Sequence, residues 1–209
     1  CYPVLKKKNL HLIQAAKKFI EKHLKIKDCP TETNFVLSDK KKIETKEYFK
    51  NKNFNILIGA GSSGPTTKWG SSNFAKLINK FNETGNYFFY ILSGPNESDI
   101  AEEIIKNVNL KNCLSLSNKN ISELLPFLTL CDLYIGNDSF GHHVTSQSGI
   151  PSIVLILDTP KAYSDYSKNH FRIVPDNIDL DTVKHGSELN PNSIKIEKVY
   201  QKILELKNL

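Results

Sequence analysis

Two stretches hold residue types able to do chemistry. The first is Gly59-Ala60-Gly61-Ser62-Ser63-Gly64-Pro65-Thr66-Thr67-Lys68-Trp69, with four hydroxyls and one charge at Lys68. Glycines let backbone N–H groups approach an anion, a helix start behind them favours negative charge, and a lysine adds a point charge. The stretch therefore reads as a phosphate cradle. A plain strand-to-helix turn is the alternative, although turns rarely gather so many donors. The second stretch is Gly136-Asn137-Asp138-Ser139-Phe140-Gly141-His142-His143. It sets an acid and a hydroxyl before two imidazoles that can donate to phosphate or sugar oxygens.

The first stretch also fits G-x-G-x-x-G, the pattern of dinucleotide-binding turns. In that fingerprint the third glycine opens the helix directly. Here residues 65–70 intervene, so an NAD-dependent oxidoreductase is an alternative and not the leading reading. Neighbouring helical side chains point about 100° apart, which makes His142 and His143 poor joint ligands. No third ligand is evident, and no metal is expected. Asp179 and Asp181 have a D-x-D spacing but lie in a late loop and read as capping or surface residues.

These stretches need elements to position them. Apolar residues 54–58 predict a strand entering the first stretch, and a helix follows from Ser71 or Ser72 with Phe74, Leu77, Ile78 and Phe81 on one face. A second strand over 87–92 ends at Ser93-Gly94-Pro95, and Ile100, Ile104, Ile105 and Val108 mark the next helix. Then come a strand at 113–116, a helix at 121–130 and a fourth strand at 132–135 that enters the second stretch. A short helix to Gly149, a strand at 152–157, a sixth at 171–174 and a closing helix at 194–206 complete the pattern. Pro126 argues for a helix start near Ser122, which keeps the proline in the first turn. Such alternation predicts an α/β fold, a Rossmann-like doubly wound parallel sheet with ligands at the carboxyl ends of its strands. Upstream, the pattern predicts a helix over 9–25, a brief strand at 34–37 and a short helix at 43–49. That segment lacks a glycine-marked unit and reads as the tail of something larger.

The chain has 209 residues, enough for one well-buried core. With 39% hydrophobic and 24% charged residues, a disordered chain or a disulfide scaffold is excluded. No apolar run reaches the ~18 residues of a membrane-spanning helix, and a soluble chain is expected. The net charge of +6 sits wholly in the first quarter, because residues 1–52 carry fourteen lysines against six acids. Arg172 is the sole arginine, so the forked guanidinium used to read bases is nearly absent and nucleic acid is not an expected partner. The lysines suit a solvated helix or an anionic lipid surface. Cys1, Cys29, Cys113 and Cys131 form no C-x-x-C pair, which fits a reduced cytosolic setting. With no methionine and cysteine first, the sequence is expected to start inside a longer protein, and its first residues lack a signal-peptide layout.

Several features stand together in order and spacing: the first loop with Trp69, Leu92-Ser93-Gly94-Pro95-Asn96-Glu97 with Ala101, the helix start at 121–125, and Ile135-Gly136-Asn137-Asp138-Ser139 with His143. Through them residues 55–157 resemble the carboxyl-terminal, donor-binding domain of the family-9 glycosyltransferases, the lipopolysaccharide heptosyltransferase family. The resemblance implies one half of a GT-B two-domain architecture, with the donor in the cleft between two Rossmann-like domains. Residues 53–209 would form the donor nucleotide-sugar-binding domain with its closing helix. Residues 1–52 would be the end of the amino-terminal acceptor domain and the interdomain connection. It further implies that Ser62 and Ser63 contact the donor phosphates, that Glu97 binds the ribose, and that Asp138, Ser139 and His143 line the diphosphate and sugar, with no metal or resident cofactor. His143 is thereby favoured over His142, helix capping being its alternative role. Two positions depart from the family pattern. Aligned on Trp69, Thr67 stands where the family has lysine and Lys68 comes one place later; Phe140 stands at the family's glycine, displaced to Gly141. These four complete the expected donor-binding set.

The function so implied is transfer of a heptose-like sugar from a nucleotide-diphosphate donor, with ADP-heptose a candidate, to a lipopolysaccharide or related glycan acceptor. The setting would be cytoplasmic, at the inner face of the inner membrane, with peripheral membrane contact. The catalytic base would be an aspartate of the missing amino-terminal domain, so this chain is expected to bind donor without transferring sugar alone. The alternatives are an NAD-dependent oxidoreductase domain, a non-catalytic nucleotide-binding module, and a sugar-nucleotide epimerase of the same two-domain architecture.

Overall fold

The computed structural model describes residues 12–32, 37–49, 53–81, 86–108 and 112–208. Six strands, β1 (Phe54–Gly59), β2 (Tyr87–Leu92), β3 (Cys113–Ser115), β4 (Leu133–Asn137), β5 (Ser152–Leu155) and β6 (His170–Ile173), form one parallel sheet in the order β3-β2-β1-β4-β5-β6. The chain builds outward from β1 to β3 and then returns to the other side of β1, so strand order reverses between β1 and β4. In the register, Gly59 lies between Leu92 of β2 and Gly136 of β4. The loops after these three strands therefore leave the sheet side by side.

The strands are apolar at nearly every position because both faces are covered. Ile56, Ile58, Phe89, Ile91, Ile135 and Ile153 pack with α3 (Ser71–Phe81), α4 (Ser98–Lys106) and α7 (Ile196–Lys207). Leu57, Tyr90, Leu92 and Tyr134 face α5 (Ile121–Leu130) and α6 (Phe140–Gln147). The Asp132 carboxylate ties the entry of β4 to β1, accepting from Asn55 N at 2.7 Å and Asn55 Nδ2 at 3.1 Å.

Upstream lie α1 (Leu12–Leu24) and α2 (Asp39–Lys46). Residues just after α2 pack on the sheet body: Phe49 rests 5.2 Å from the Tyr90 ring, and Tyr90 OH donates to Tyr48 O at 2.8 Å. Among the described residues, no helix is long and apolar enough to cross a membrane.

Most predicted elements are present, with shifted ends. Residues 9–11 of the first helix and 34–36 of the brief strand lie outside the described residues. Helix α2 starts at Asp39, well before residue 43, because the Ser38 hydroxyl caps it by accepting from Lys41 N. Helix α5 has the expected bounds, Ile121–Leu130, but not the expected place for its proline. Asn120 and Glu123 form a capping box at its start, so Pro126 falls at the sixth helical position instead of the first turn. The carbonyl this proline deprives of a donor belongs to exposed Ser122, which limits the penalty. Strand β4 continues through Gly136 and Asn137 because both still pair with β5. The last helix begins at Ile196, two residues after the expected start.

Candidate functional site

The loop after β1 is folded tightly by its own polar groups. Ala60 N and Gly61 N both donate to Leu92 O, holding the loop against the end of β2. Ser62 Oγ lies 2.6 Å from Thr67 Oγ1, which donates to Gly64 O at 2.8 Å. Beneath the loop, fully buried Asn137 accepts from Trp69 N at 2.9 Å and donates from Nδ2 to Ala60 O at 2.7 Å. Trp69 is fully buried, and its Nε1 donates to Ile194 O. Thr66 Oγ1 donates to Asp158 at 2.6 Å, and Asp158 also accepts from Glu188 N, pinning the far side of the loop to the segment after β5.

Glu97 reaches back into this loop from the start of α4. Its Oε1 lies 2.5 Å from Lys68 Nζ and accepts from Ser62 N at 3.4 Å, while Oε2 accepts from Gly94 N at 3.1 Å. Partial burial works to raise the Glu97 pKa. The Lys68 ammonium and the two N–H groups outweigh it and hold the carboxyl below its ordinary value.

The loop after β4 approaches across a close backbone contact. A Cβ on Gly136 would meet Gly59 O at 2.4 Å, so only glycine lets the two strand ends lie this close. Ser62 Oγ donates to Asp138 O at 3.2 Å and joins the two loops. Ser139 precedes α6, and Phe140 at its first position is half exposed. The Asp138 side chain turns back into the protein, its Oδ1 2.5 Å from Nε2 of fully buried His142. His142 Nδ1 lies 3.1 Å from Nε2 of His170 on β6, and His143 Nδ1 is hydrogen-bonded to Tyr166 OH. Burial works to raise the Asp138 pKa, but the hydrogen bond and charge of His142 overcome it and keep the carboxyl below its ordinary range. Burial, with His142 adding to it, pushes His143 down to about 4 and His170 down to about 3.

The three loops enclose a cleft of about 860 Å³ at the reversal of strand order. Of the residues expected to bind donor, Ser62, Ser63, Glu97, Ser139, Phe140 and Gly141 line it. Thr67, Lys68, Asp138 and His143 do not line it; Thr67 and the Asp138 carbonyl bond to Ser62, Lys68 pairs with Glu97, and His143 bonds to Tyr166 away from the lining. The opposite wall, missed in the sequence apart from the helix start at 121–125, runs from Ser117 through Lys119, Asn120, Ile121 and Ser122 at the entry of α5. Tyr134, His170 and Tyr166 also escaped notice, and Asn137 stands in the second stretch without an expected role of its own. Asn137 could have been found as a polar residue closing an otherwise apolar strand, whereas the others carry no local signal.

Although they are neighbours on α6, His142 and His143 do not point apart as expected. The rings of His142 and His143 turn toward each other, with centroids 3.8 Å apart, and ligand atoms of Asp138, His142 and His143 lie within 4.8 Å of one another. All three side chains are already engaged: Asp138 with His142, His142 with His170, and His143 with Tyr166. Asp179 caps a short turn by accepting from Asp181 N, and Asp181 pairs with Lys161, as the late loop led one to expect. Cys29, Cys113 and Cys131 are free thiols, and burial pushes Cys113 up to about 12.

An α/β domain with a cleft at its topological switch point is the architecture of many nucleotide-binding proteins. The family model for glycosyltransferase family 9 (heptosyltransferase) matches residues 3–188, and the chain belongs to that family. Over 171 residues it is 27% identical to lipopolysaccharide heptosyltransferase 1 of Campylobacter coli, covering 78% of this chain and 49% of the relative. The fold is similar to a family-9 glycosyl transferase from Veillonella parvula, with a TM-score of 0.72 and 18% identity over 92% of this chain and 59% of that one. It is also similar to E. coli heptosyltransferase WaaC solved with ADP, with a TM-score of 0.70 and 14% identity over 96% of this chain and 58% of that one. The chain thus spans about half the length of these relatives.

Proposed function

We propose that this chain is the donor-binding half of a GT-B glycosyltransferase that moves a heptose-like sugar from a nucleoside diphosphate to a lipopolysaccharide-type glycan. The reading rests on one observation above all: six of the expected donor residues line one cleft at the strand-order reversal of a family-9 chain. In that cleft the Glu97 carboxylate would accept from the ribose hydroxyls. Ile121 and Leu124 offer apolar surface to the base, and the start of α6, with Ser139 and Gly141, would face the diphosphate. Exposed Phe140 would then lie beside the sugar. ADP is favoured as the nucleotide because a fold neighbour was solved with it. Transfer would need an acceptor-binding domain that supplies the base, residues 1–52 being the end of that domain and the connection to it. The work would be done at the cytoplasmic side of a membrane, with the lysine-rich first quarter nearest the acceptor.

Calorimetric titration of the chain with ADP, UDP, GDP and NAD in EDTA tests this. Saturable ADP binding without metal is expected. Binding of NAD alone would replace the transferase reading with a dinucleotide one.

A further inference from the structure

The backbone donors that a glycine-rich loop would offer to a phosphate already hold a carboxylate. Ser62 N and Gly94 N donate to the two oxygens of Glu97, and Lys68 Nζ closes the group from the third side at 2.5 Å. The glycines are shaped to this guest. A Cβ on Gly61 would come 2.3 Å from Glu97 Oε2, and one on Gly94 would come 2.9 Å from the same atom. Two further facts bear on Lys68. It does not line the cleft, whereas Glu97 does. The residue before it, Thr67, is buried and bonded to Ser62 and Gly64, which fixes the point from which the Lys68 side chain departs.

We propose that the Gly61–Ser62–Gly94 cradle seats the carboxylate of Glu97 and not a phosphate, and that Lys68 is a positioning residue that acts through Glu97 rather than an anion-binding one. The proposal rests on the reading of the cleft as a nucleoside diphosphate site. Its physical content is that two N–H groups and an ammonium fix a carboxylate in one orientation at the cleft wall, so its hydrogen bonds to a diol need little further ordering. The sequence pattern alone gave Lys68 and the glycine loop to the phosphates. The structure turns both toward the nucleoside.

The test compares adenosine with ADP. If Lys68 acts through Glu97, Lys68→Met weakens adenosine and ADP by the same factor, about tenfold. Combining it with Glu97→Gln then weakens binding little beyond Glu97→Gln alone. Lys68→Arg, which keeps the charge, holds adenosine affinity within about threefold of the parent. If Lys68→Met instead weakens ADP and leaves adenosine unchanged, the ammonium reads the phosphates and the proposal is wrong. A ligand-free readout separates this proposal from the function it rests on. Carboxyl NMR of the free chain should show the Glu97 midpoint rising in Lys68→Met, and an unmoved midpoint overturns the positioning role. Failure of both ligands to bind the parent chain counts against the nucleotide reading, while the Glu97 titration still decides the pairing.

Discussion

Asp138 and His142 form a buried pair one helical turn apart, with Oδ1 2.5 Å from Nε2, and the pair faces away from the cleft that the Asp138 backbone helps to frame. His170, twenty-eight residues further along the chain, backs His142 from β6. The chain of three side chains thus ties the loop after β4 to the edge of the sheet. Its role is to hold Ser139, Phe140 and Gly141 in place. Removing His142 should therefore be felt mainly as lost stability. His142→Ala leaves a largely buried carboxylate without its partner and should cost about 3 kcal/mol, read as a lowered urea midpoint. A parent-like midpoint would mean that the pair contributes nothing.

Acid should loosen the same region. His143 and His170 are held neutral in the folded chain, at about 4 and about 3, against an ordinary value of 6.5. Below pH 6.5 the unfolded chain binds protons that the folded chain refuses, so stability falls as pH drops from 6.5 toward 4. Asp138 adds to the loss only at still lower pH, because its folded pKa lies below its ordinary 3.8. Urea unfolding across this range should show a steady decline that His170→Asn reduces. A flat profile would contradict the buried, neutral imidazoles.

Asn137 is the polar hinge between the two loops, donating to Ala60 O and accepting from Trp69 N while fully buried. Asn137→Ala strands both backbone groups and should cost about 2–3 kcal/mol. Nucleotide affinity should fall with it, because the first loop loses its floor. Calorimetry on the folded fraction checks the second effect, and unchanged affinity would show that the loop holds its shape without this side chain.

Gly136→Ala should be strongly destabilising. Its Cβ would press on Gly59 O at 2.4 Å and Gly59 Cα at 2.6 Å, which are backbone atoms of the neighbouring strand and cannot swing aside. A loss of about 3 kcal/mol is expected, seen as a lowered thermal midpoint. A parent-like midpoint would mean that β1 and β4 can part at little cost.

The sheet was legible in the sequence because each strand is a short apolar run closed by a polar or glycine-marked loop, and strand β2 has the expected bounds, 87–92. The helix starts were less so. In α2 the start depends on the Ser38 cap, whose pull competes with the apolar spacing, whereas the bounds of α5 were as expected despite Pro126. At the site, residue types marked two loops that border the cleft but not where each side chain points. Ser62 and Glu97 reach the cleft, whereas Asp138 and His143 turn inward, because their partners His142 and Tyr166 are fixed by α6 and the segment before β6. The pair of Asp138 and His142 is local, a spacing of four that the sequence does contain, whereas His143 and Tyr166 are twenty-three residues apart and periodicity carries no record of such a pair.

Mapping ADP onto the amide spectrum of the isotope-labelled chain decides whether the cleft between the loops after β1, β2 and β4 holds the nucleotide. The expected perturbations fall at Gly61, Ser62, Ser63 and Glu97, along Lys119–Ser122, and at Ser139, Phe140 and Gly141. Saturable perturbations confined to another surface, such as the groove between α2 and α5 around Glu44 and Pro126, would contradict it.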